Sequence, residues 1–309
     1  MNLEALDLTV SASDGSSLQK YMIRKSLRKL VKSGRFEKIA PLFKYRYCAA
    51  RMYLGDFSDY SGWEYRHEDG WSAEIWFAEF PIPKWQGHNC GTLLVRAEQG
   101  VGDEIFYLSI LPECIARVDH VIVECDRRIQ EIVRRSFPRI TVIDRCNHWD
   151  IPAKEFIVMG DLLRVFRKDK KHFPKKPYLK IDESRVPEFE KYRGMTGVAW
   201  RGRQGSIEGD FTGMVSLQYG DQDRNDVIEP DLDLTNDLEG VFALCSVLGK
   251  VVCAPQTIMH IAGSIGKKVE VYIPTLAGEV RNQIAWDYPP GRSYFYKDTT
   301  VFGGKYAEK

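Results

Sequence analysis

The chain lacks a C-x-x-C pair, an apolar run of membrane-spanning length and any sizeable net charge. Its seven cysteines, at positions 48, 90, 114, 125, 146, 245 and 253, are odd in number and carry no metal-ligand spacing, which argues against a disulfide framework and a zinc motif. Cys253, inside KVVCAP, reads as a small buried hydrophobe. A membrane helix needs about 20 consecutive apolar residues, and no stretch approaches that. The opening residues, MNLEALDLTVSASDGSS, do not have the basic-then-apolar form of a signal peptide, so the expected location is cytoplasmic. Lys and Arg number 44 against 43 Asp and Glu, a formal charge of +1. That excludes a global pull toward nucleic acid or membrane and leaves local patches to argue from.

What is present is a globular composition, 44% hydrophobic over 309 residues, long enough for two compact domains. The most informative stretch is 93–112, LLVRAEQGVGDEIFYLSILP. An apolar strand runs into a loop containing Gln99, Gly100 and Gly102, and the spacing of Ile105, Leu108 and Leu111 predicts a helix beyond it. The two glycines are expected to bend the backbone tightly and let it approach a ligand. Asp103 then falls at the carboxyl end of a strand, where open α/β sheets bind ligands. An aspartate there is also a favoured N-cap, with or without further function.

Strands are expected near 92–96, 120–124, 140–143 and 155–158, separated by helical stretches such as RRIQEIVRRSF, and this alternation predicts a parallel sheet. The basic segment 164–178, RVFRKDKKHFPKKPY, has no clear apolar period and reads as a crossing between domains, either a solvated linker or a patch for phosphate or an anionic acceptor. A second alternating half follows through TGVAWRG, MVSLQ and GKVVCAPQTIMHIAGSIGKKVEVYIP. Within it, strand KVVCA, turn Pro255-Gln256 and a helix from Thr257 to the Gly266 stop form the best anion site in the sequence. Backbone N–H groups at a helix start, aided by the macrodipole, favour a diphosphate. Thr257 offers a hydroxyl, and His260 could donate one hydrogen bond to a phosphate or sugar hydroxyl or simply pack. Arg201, after the strand of TGVAWRG, offers forked donors to phosphate or is a surface arginine.

In order along the chain, MYLGDFSDYSGWEYR, FPIPKWQG, AEQGVGDE, VIVECDRRIQEIV, MGDLLRVFRKDKKHFPKKPYL, TGVAWRG, VSLQ and MHIAGSIGKKV resemble the GT-B glycosyltransferase-like domain found behind tetratricopeptide repeats in bacterial proteins. That domain is related to heptosyltransferases and, more distantly, to O-linked N-acetylglucosamine transferases. The resemblance implies an α/β fold of the GT-B type, with two doubly wound parallel-sheet domains facing across a cleft. Expected boundaries are a helical, tetratricopeptide-like cap at 1–66, an acceptor-side domain at 67–163, a crossing at 164–192, a donor-side domain at 193–285 and a tail at 286–309. It implies an inverting transfer of a hexosyl or heptosyl group from a nucleotide sugar, with Asp103 as base and Arg201, Gln256, Thr257 and His260 beside the donor. No metal or other cofactor is implied, and no D-x-D motif lies beside these loops.

Two departures from the family stand out. Its V-D-T-A-x-x-H-L-A-G pattern has Pro255-Gln256 in place of Asp-Thr, which removes a carboxylate and a hydroxyl from the donor pocket. Only RQGSIEGDFTGM joins Arg201 to the next strand, too short for the usual helical crossover, so that flank of the pocket is expected to be more open. Glu98 and Glu104 are alternates to Asp103 as base. The acceptor is a glycan, a protein or, on the strength of 164–178 alone, a nucleic acid.

The helical residues 16–66 contain a stretch, 33–66, of one 34-residue repeat period. A single repeat cannot bury its own face, so these helices are expected to pack on the catalytic module or to form a homodimer. Tyr45, Tyr47, Tyr53, Phe57, Tyr60, Trp63 and Tyr65 are then core, or else a partner surface. The rival reading is a non-catalytic binding or scaffold protein with a decayed donor site.

Overall fold

The computed structural model describes residues 41–66, 81–145, 151–202, 205–220, 224–274 and 291–303. The signal-peptide reading, most of the repeat-like region before residue 41, Cys146 and most of the C-terminal tail lie outside the described residues. Helix α1 (Pro41–Tyr53) opens the described chain. The first half then runs β1 (Thr92–Arg96), α2 (Val101–Tyr107), α3 (Leu111–Ile115), β2 (His120–Cys125), α4 (Gln130–Ser136), β3 (Thr141–Asp144), β4 (Glu155–Val158) and α5 (Leu162–Phe166). A long 3-10 stretch, Glu183–Tyr192, leads to the second half. That half contains β5 (Thr196–Ala199), the β6 (Arg201–Gly202) and β7 (Gly205–Ser206) hairpin, β8 (Val215–Ser216), α6 (Leu238–Val247), β9 (Lys250–Cys253), α7 (Thr257–Ser264), β10 (Val269–Ile273), β11 (Gly291–Arg292) and β12 (Thr299–Gly303).

Two sheets result. The first has the order β3-β2-β1-β4, the second β11-β12-β10-β9-β5-β8. Within these two sheets every pairing is parallel except β11 with β12, and β6 and β7 form a separate antiparallel pair. This is the α/β architecture expected, and the four strands expected in the first half fall within a residue of their predicted places. The order reverses between β1 and β4 in the first sheet and between β5 and β9 in the second. Ligands of open α/β sheets bind outside the carboxyl ends of the strands at such reversals. The Gln99–Asp103 loop follows β1, and the Pro255–Thr257 turn follows β9, so each lies at the switch point of its own sheet.

The halves share their largest core cluster, and each has a smaller one of its own. Buried residues of both sheets belong to a single apolar cluster that also takes in Tyr47, Met52, Tyr53, Phe57, Tyr60 and Trp63 from the N-terminal segment. Those aromatics are therefore core, as their size favours. The Trp63 indole donates to Gly160 O at 3.0 Å, and the Tyr60 hydroxyl donates to Arg167 O. The segment 164–178 is only partly a wet linker. Lys168, Lys170, Lys171, Lys175 and Lys176 are exposed, but Phe173 is buried against Phe106 and Phe295, and Arg167 is buried in an ion pair with Glu113 at 2.7 Å. The absence of a clear apolar period hid these two anchors. Between β5 and β8 the chain makes the β6–β7 hairpin and no helix among the described residues, in keeping with the short connection.

Cys48, Cys114, Cys125, Cys245 and Cys253 are buried and unbridged. No helix among the described residues is long and apolar enough to cross a membrane.

Candidate functional site

The bend after β1 is not where the glycines suggested. Gln99 takes the positive φ, 58°, a conformation that non-glycine residues adopt at a cost. Gly100 is extended (φ −94°, ψ 167°) and is the N-cap of α2, which makes Asp103 the third residue of the helix and not its cap. The Asp103 carboxylate reaches back to accept the Gly100 N–H at 3.1 Å. Asp103 is half-buried, and its pKa rises from 3.8 to about 6. Burial is the main cause, opposed by the Gly100 N–H and assisted by the charge of Glu98. A carboxylate so poised takes up a proton near neutral pH more readily than an ordinary aspartate.

The neighbouring carboxylates are engaged elsewhere. Glu98 is fully buried, and Arg66 grips it with two hydrogen bonds at 3.0 and 2.6 Å. The same guanidinium reaches Asp161 at 2.9 Å, and Lys84 pairs with Asp161 from the other side. Glu104, also fully buried, pairs with Arg145 and accepts the Asp126 N–H at 2.8 Å; burial pushes its pKa up to about 8. Both alternates are thus engaged in buried ion pairs. Arg66 was not singled out from the sequence. Its one signal was its place at the end of SGWEYR, in the first word of the signature.

The second half meets this loop directly. A Cβ built on Gly102 would lie 3.0 Å from Thr257 Oγ1, 3.2 Å from Thr257 Cα and 3.4 Å from His260 Cδ2. Gly102 thus sits in a tight contact between α2 and α7, where the sequence suggested an approach of ligand to backbone. The two helices meet at their N-terminal ends, so the positive ends of both dipoles converge. The start of α2 is occupied by the Asp103 carboxylate, whereas the N-cap residue of α7, Gln256, makes no side-chain cap bond. Orphan N–H groups at an uncapped helix start favour an anion.

Around that start, the sequence-predicted donor residues divide. Thr257 is half-buried at the first position of α7. The Gln256 amide nitrogen donates to Ala199 O at 3.1 Å and to Arg201 O at 3.0 Å. It fastens the turn after β9 to the end of β5, and its Oε1 is buried with no hydrogen-bond partner. Arg201 is held near the turn by the same contact, by its own N–H bonding Gln218 Oε1 at 2.8 Å and by Gly202 lying against Pro255 O. His260 is buried in the second turn of α7, 4% exposed, and burial lowers its pKa to about 4. Its ring packs on Phe106, and Nδ1 lies 3.0 Å from the Tyr296 hydroxyl. Tyr296, in the run YFY near the end of the chain, carried no sequence signal of a site.

No family model matches the chain.

Among curated proteins, FlbA of Caulobacter vibrioides is 24% identical over 271 residues, spanning 67% of this chain and 44% of that protein. The chain therefore spans less than half of this relative. Among solved structures, a family 9 glycosyl transferase from Veillonella parvula superposes with a TM-score of 0.46 at 9% identity, covering 70% of this chain and 87% of that one. The ADP-heptose LPS heptosyltransferase II of E. coli gives 0.47 at 10% identity, covering 68% and 90%. TibC, an iron-containing dodecameric glycosyltransferase of enterotoxigenic E. coli, gives 0.39 at 9% identity, covering 62% and 59%.

Among the described residues no group of three or more His, Cys, Asp and Glu side chains could hold a metal ion. A cavity of about 450 Å³ lies elsewhere, on the first sheet, lined by Thr92, His120, Ile122, Thr141, Ile143, Ile151 and Pro152. It begins at the amino ends of β1, β2 and β3, the edge opposite the Gly-Asp loop, and has no part in the site.

Proposed function

We propose that the chain is a nucleotide-sugar-dependent glycosyltransferase of the GT-B type that inverts the anomeric centre. The observation that carries this reading is the meeting of two switch-point loops, with Gly102 of one against Thr257 of the other. Glycosyl transfer needs a donor site for the departing diphosphate and a base for the acceptor hydroxyl. The uncapped start of α7 supplies N–H groups for the diphosphate, with Thr257 adding a hydroxyl and Arg201 a nearby cation. Asp103, with its proton affinity raised by burial, takes the acceptor proton as the hydroxyl oxygen attacks the anomeric carbon and the bond to the diphosphate breaks. His260, neutral at pH 7 because burial depresses its pKa to about 4, acts as a hydrogen-bond donor and not as a second base. The scheme invokes no metal. The domain boundaries, the cytoplasmic location and the nucleotide-sugar donor belong to the same proposal.

Asp103→Asn tests it. Turnover should be lost while nucleotide affinity holds, since a base acts chiefly in the transition state. Equal loss of both would make Asp103 a structural back-bond to Gly100. A second reading, a binding or scaffold protein on the same fold, is favoured by Gln256, whose amide donors are committed to the backbone, and by Pro255, which brings neither carboxylate nor hydroxyl. A wild-type protein with no affinity for any nucleoside diphosphate would establish that second reading over the first.

A further inference from the structure

The crossing between the halves concentrates charge of one sign. Residues 168–176, KDKKHFPKK, hold five lysines and one acid. Lys168, Lys170, Lys171, Lys175 and Lys176 are all exposed, and exposed Lys297 joins them because an isolated β-bridge pairs Lys175 with its neighbour Tyr296. Among the described residues none of the six forms an ion pair with a carboxylate. The one acid, Asp169, is turned to the backbone, where its carboxylate accepts the Lys171 N–H at 2.8 Å. The formal charge of the whole chain is +1, so the rest of it is net negative and this face is a local field, not a share of general basicity.

The face is pinned from beneath. Phe173 and Leu179 are buried, and the Pro177 ring lies 2.6 Å from a Cβ built on Gly266. The Lys170 stem passes beside Gly55, and its ammonium sits 5.6 Å from the centre of the Tyr294 ring. Lys175 takes a positive φ, 56°, which is uncommon for a residue with a side chain. An outlier held in place on an exposed cation is an observation from which a function can be inferred. With the backbone already fixed, little order remains to be lost when a partner arrives.

We propose that Lys168, Lys170, Lys171, Lys175, Lys176 and Lys297 form a docking face for an anionic lipid surface. The arginines of the same stretch are turned to side chains of this chain, Arg164 to Gln86 at 3.1 Å and Arg167 to Glu113 at 2.7 Å, which leaves the face to lysine. Nucleic-acid recognition favours forked guanidinium groups and aromatic rings that stack on bases; the exposed large hydrophobics among the described residues, Tyr219 and Ile228, lie outside the face. Exposed ion pairs with an acidic peptide contribute little. A layer of anionic headgroups needs neither fork nor stack, and each lysine near it strengthens attachment about fivefold. Such docking is peripheral and sensitive to salt. The Gly266 end of α7, where Pro177 packs, is separated from Thr257 by the eight residues of the helix, about 12 Å. The face is thus distinct from the start of α7, and the inference does not rest on the donor-site reading.

The test is co-sedimentation of the full chain with vesicles of phosphatidylcholine alone and of phosphatidylcholine mixed equally with phosphatidylglycerol. The wild type should bind the mixed vesicles at about 0.05 M salt and leave them near 1 M, where the Debye length is about 3 Å. It should not bind the neutral ones. Lys168→Gln/Lys170→Gln/Lys171→Gln/Lys176→Gln keeps Lys175 in place and, folded by circular dichroism, should bind the mixed vesicles about a thousandfold more weakly, or by about 4 kcal/mol. Lys154→Gln/Lys191→Gln removes exposed lysines outside the face and should bind as the wild type does. Absence of binding to mixed vesicles, equal binding to neutral ones, or equal binding by wild type and the quadruple variant would overturn the proposal. So would a loss in the Lys154/Lys191 variant as large as in the quadruple one, which would make net charge the cause. Tighter binding of a DNA duplex or of polyglutamate than of mixed vesicles at the same salt would overturn the assignment to lipid.

Discussion

Replacing Arg66 with methionine should be among the most damaging single changes in the described structure. The guanidinium is 6% exposed and serves Glu98 through two bonds and Asp161 through a third. Its loss leaves Glu98, at 0% exposure, with the Gly160 N–H as its remaining hydrogen bond. Removing one partner of a buried pair costs about 3–5 kcal/mol, whereas an exposed pair is worth below about 1 kcal/mol. Against a total stability of about 5–15 kcal/mol, the variant should be marginal. The double variant Arg66→Met/Glu98→Gln removes the bare charge and should recover at least half of the loss, a non-additivity expected of groups in one network. Urea denaturation monitored by tryptophan fluorescence measures both variants, read at constant slope. Glu98 precedes the strained Gln99, so amide exchange at 99–104 should rise in the single variant more than in the sheet strands. A single variant losing under 1 kcal/mol, or a double variant equal to the sum of the singles, would refute the view that Arg66 braces the loop.

Gly102→Ala places a methyl 3.0 Å from Thr257 Oγ1 and 3.2 Å from its Cα; α2 and α7 must part, at about 1–3 kcal/mol in thermal or urea unfolding. Gln99→Val puts a β-branched residue at φ 58° and should cost about 1–3 kcal/mol; a variant as stable as wild type would show that the bend lies elsewhere. Asp103 binds its proton more tightly in the folded chain, about 6 against 3.8, so wild-type stability should fall as pH rises through that interval. Asp103→Asn abolishes that fall, so the two denaturation curves should diverge between pH 4 and 7, with the variant gaining relative to wild type. For His260, lowered from 6.5 to about 4, the sign is opposite. Its contribution is full above 6.5 and is lost as pH falls toward 4, and His260→Gln should flatten that limb.

The architecture was legible because each strand of the first half is a short apolar run closed by turn residues, and LLVRA, HVIVEC and EFIV pair in register as a parallel sheet. The site was legible to the level of the loop. QGVGDE marked a strand-to-helix turn, and APQT marked a helix start, but not which residue does what. The positive φ falls on Gln99 and Gly102 lies against Thr257 in a helix far along the chain, and neither leaves a local pattern. Glu98 and Asp103 looked equivalent along the chain; only the fold brings Arg66 and Asp161 to one of them. Gln256 has the right chemistry for phosphate, but the carbonyls of Ala199 and Arg201 reach its amide first. Tyr296 meets His260 across 36 positions of chain, beyond any spacing rule.

The most direct test of the account is calorimetric titration of the full chain with ADP, GDP, CDP and UDP, repeated on Thr257→Glu. The variant sets a carboxylate at the uncapped start of α7, where it occupies the N–H groups and repels an anion. The account predicts that the wild type binds at least one of the four and that Thr257→Glu, folded by circular dichroism, binds none. Absence of binding by the wild type, or equal binding by both proteins, would contradict the placement of a nucleotide diphosphate at this helix start.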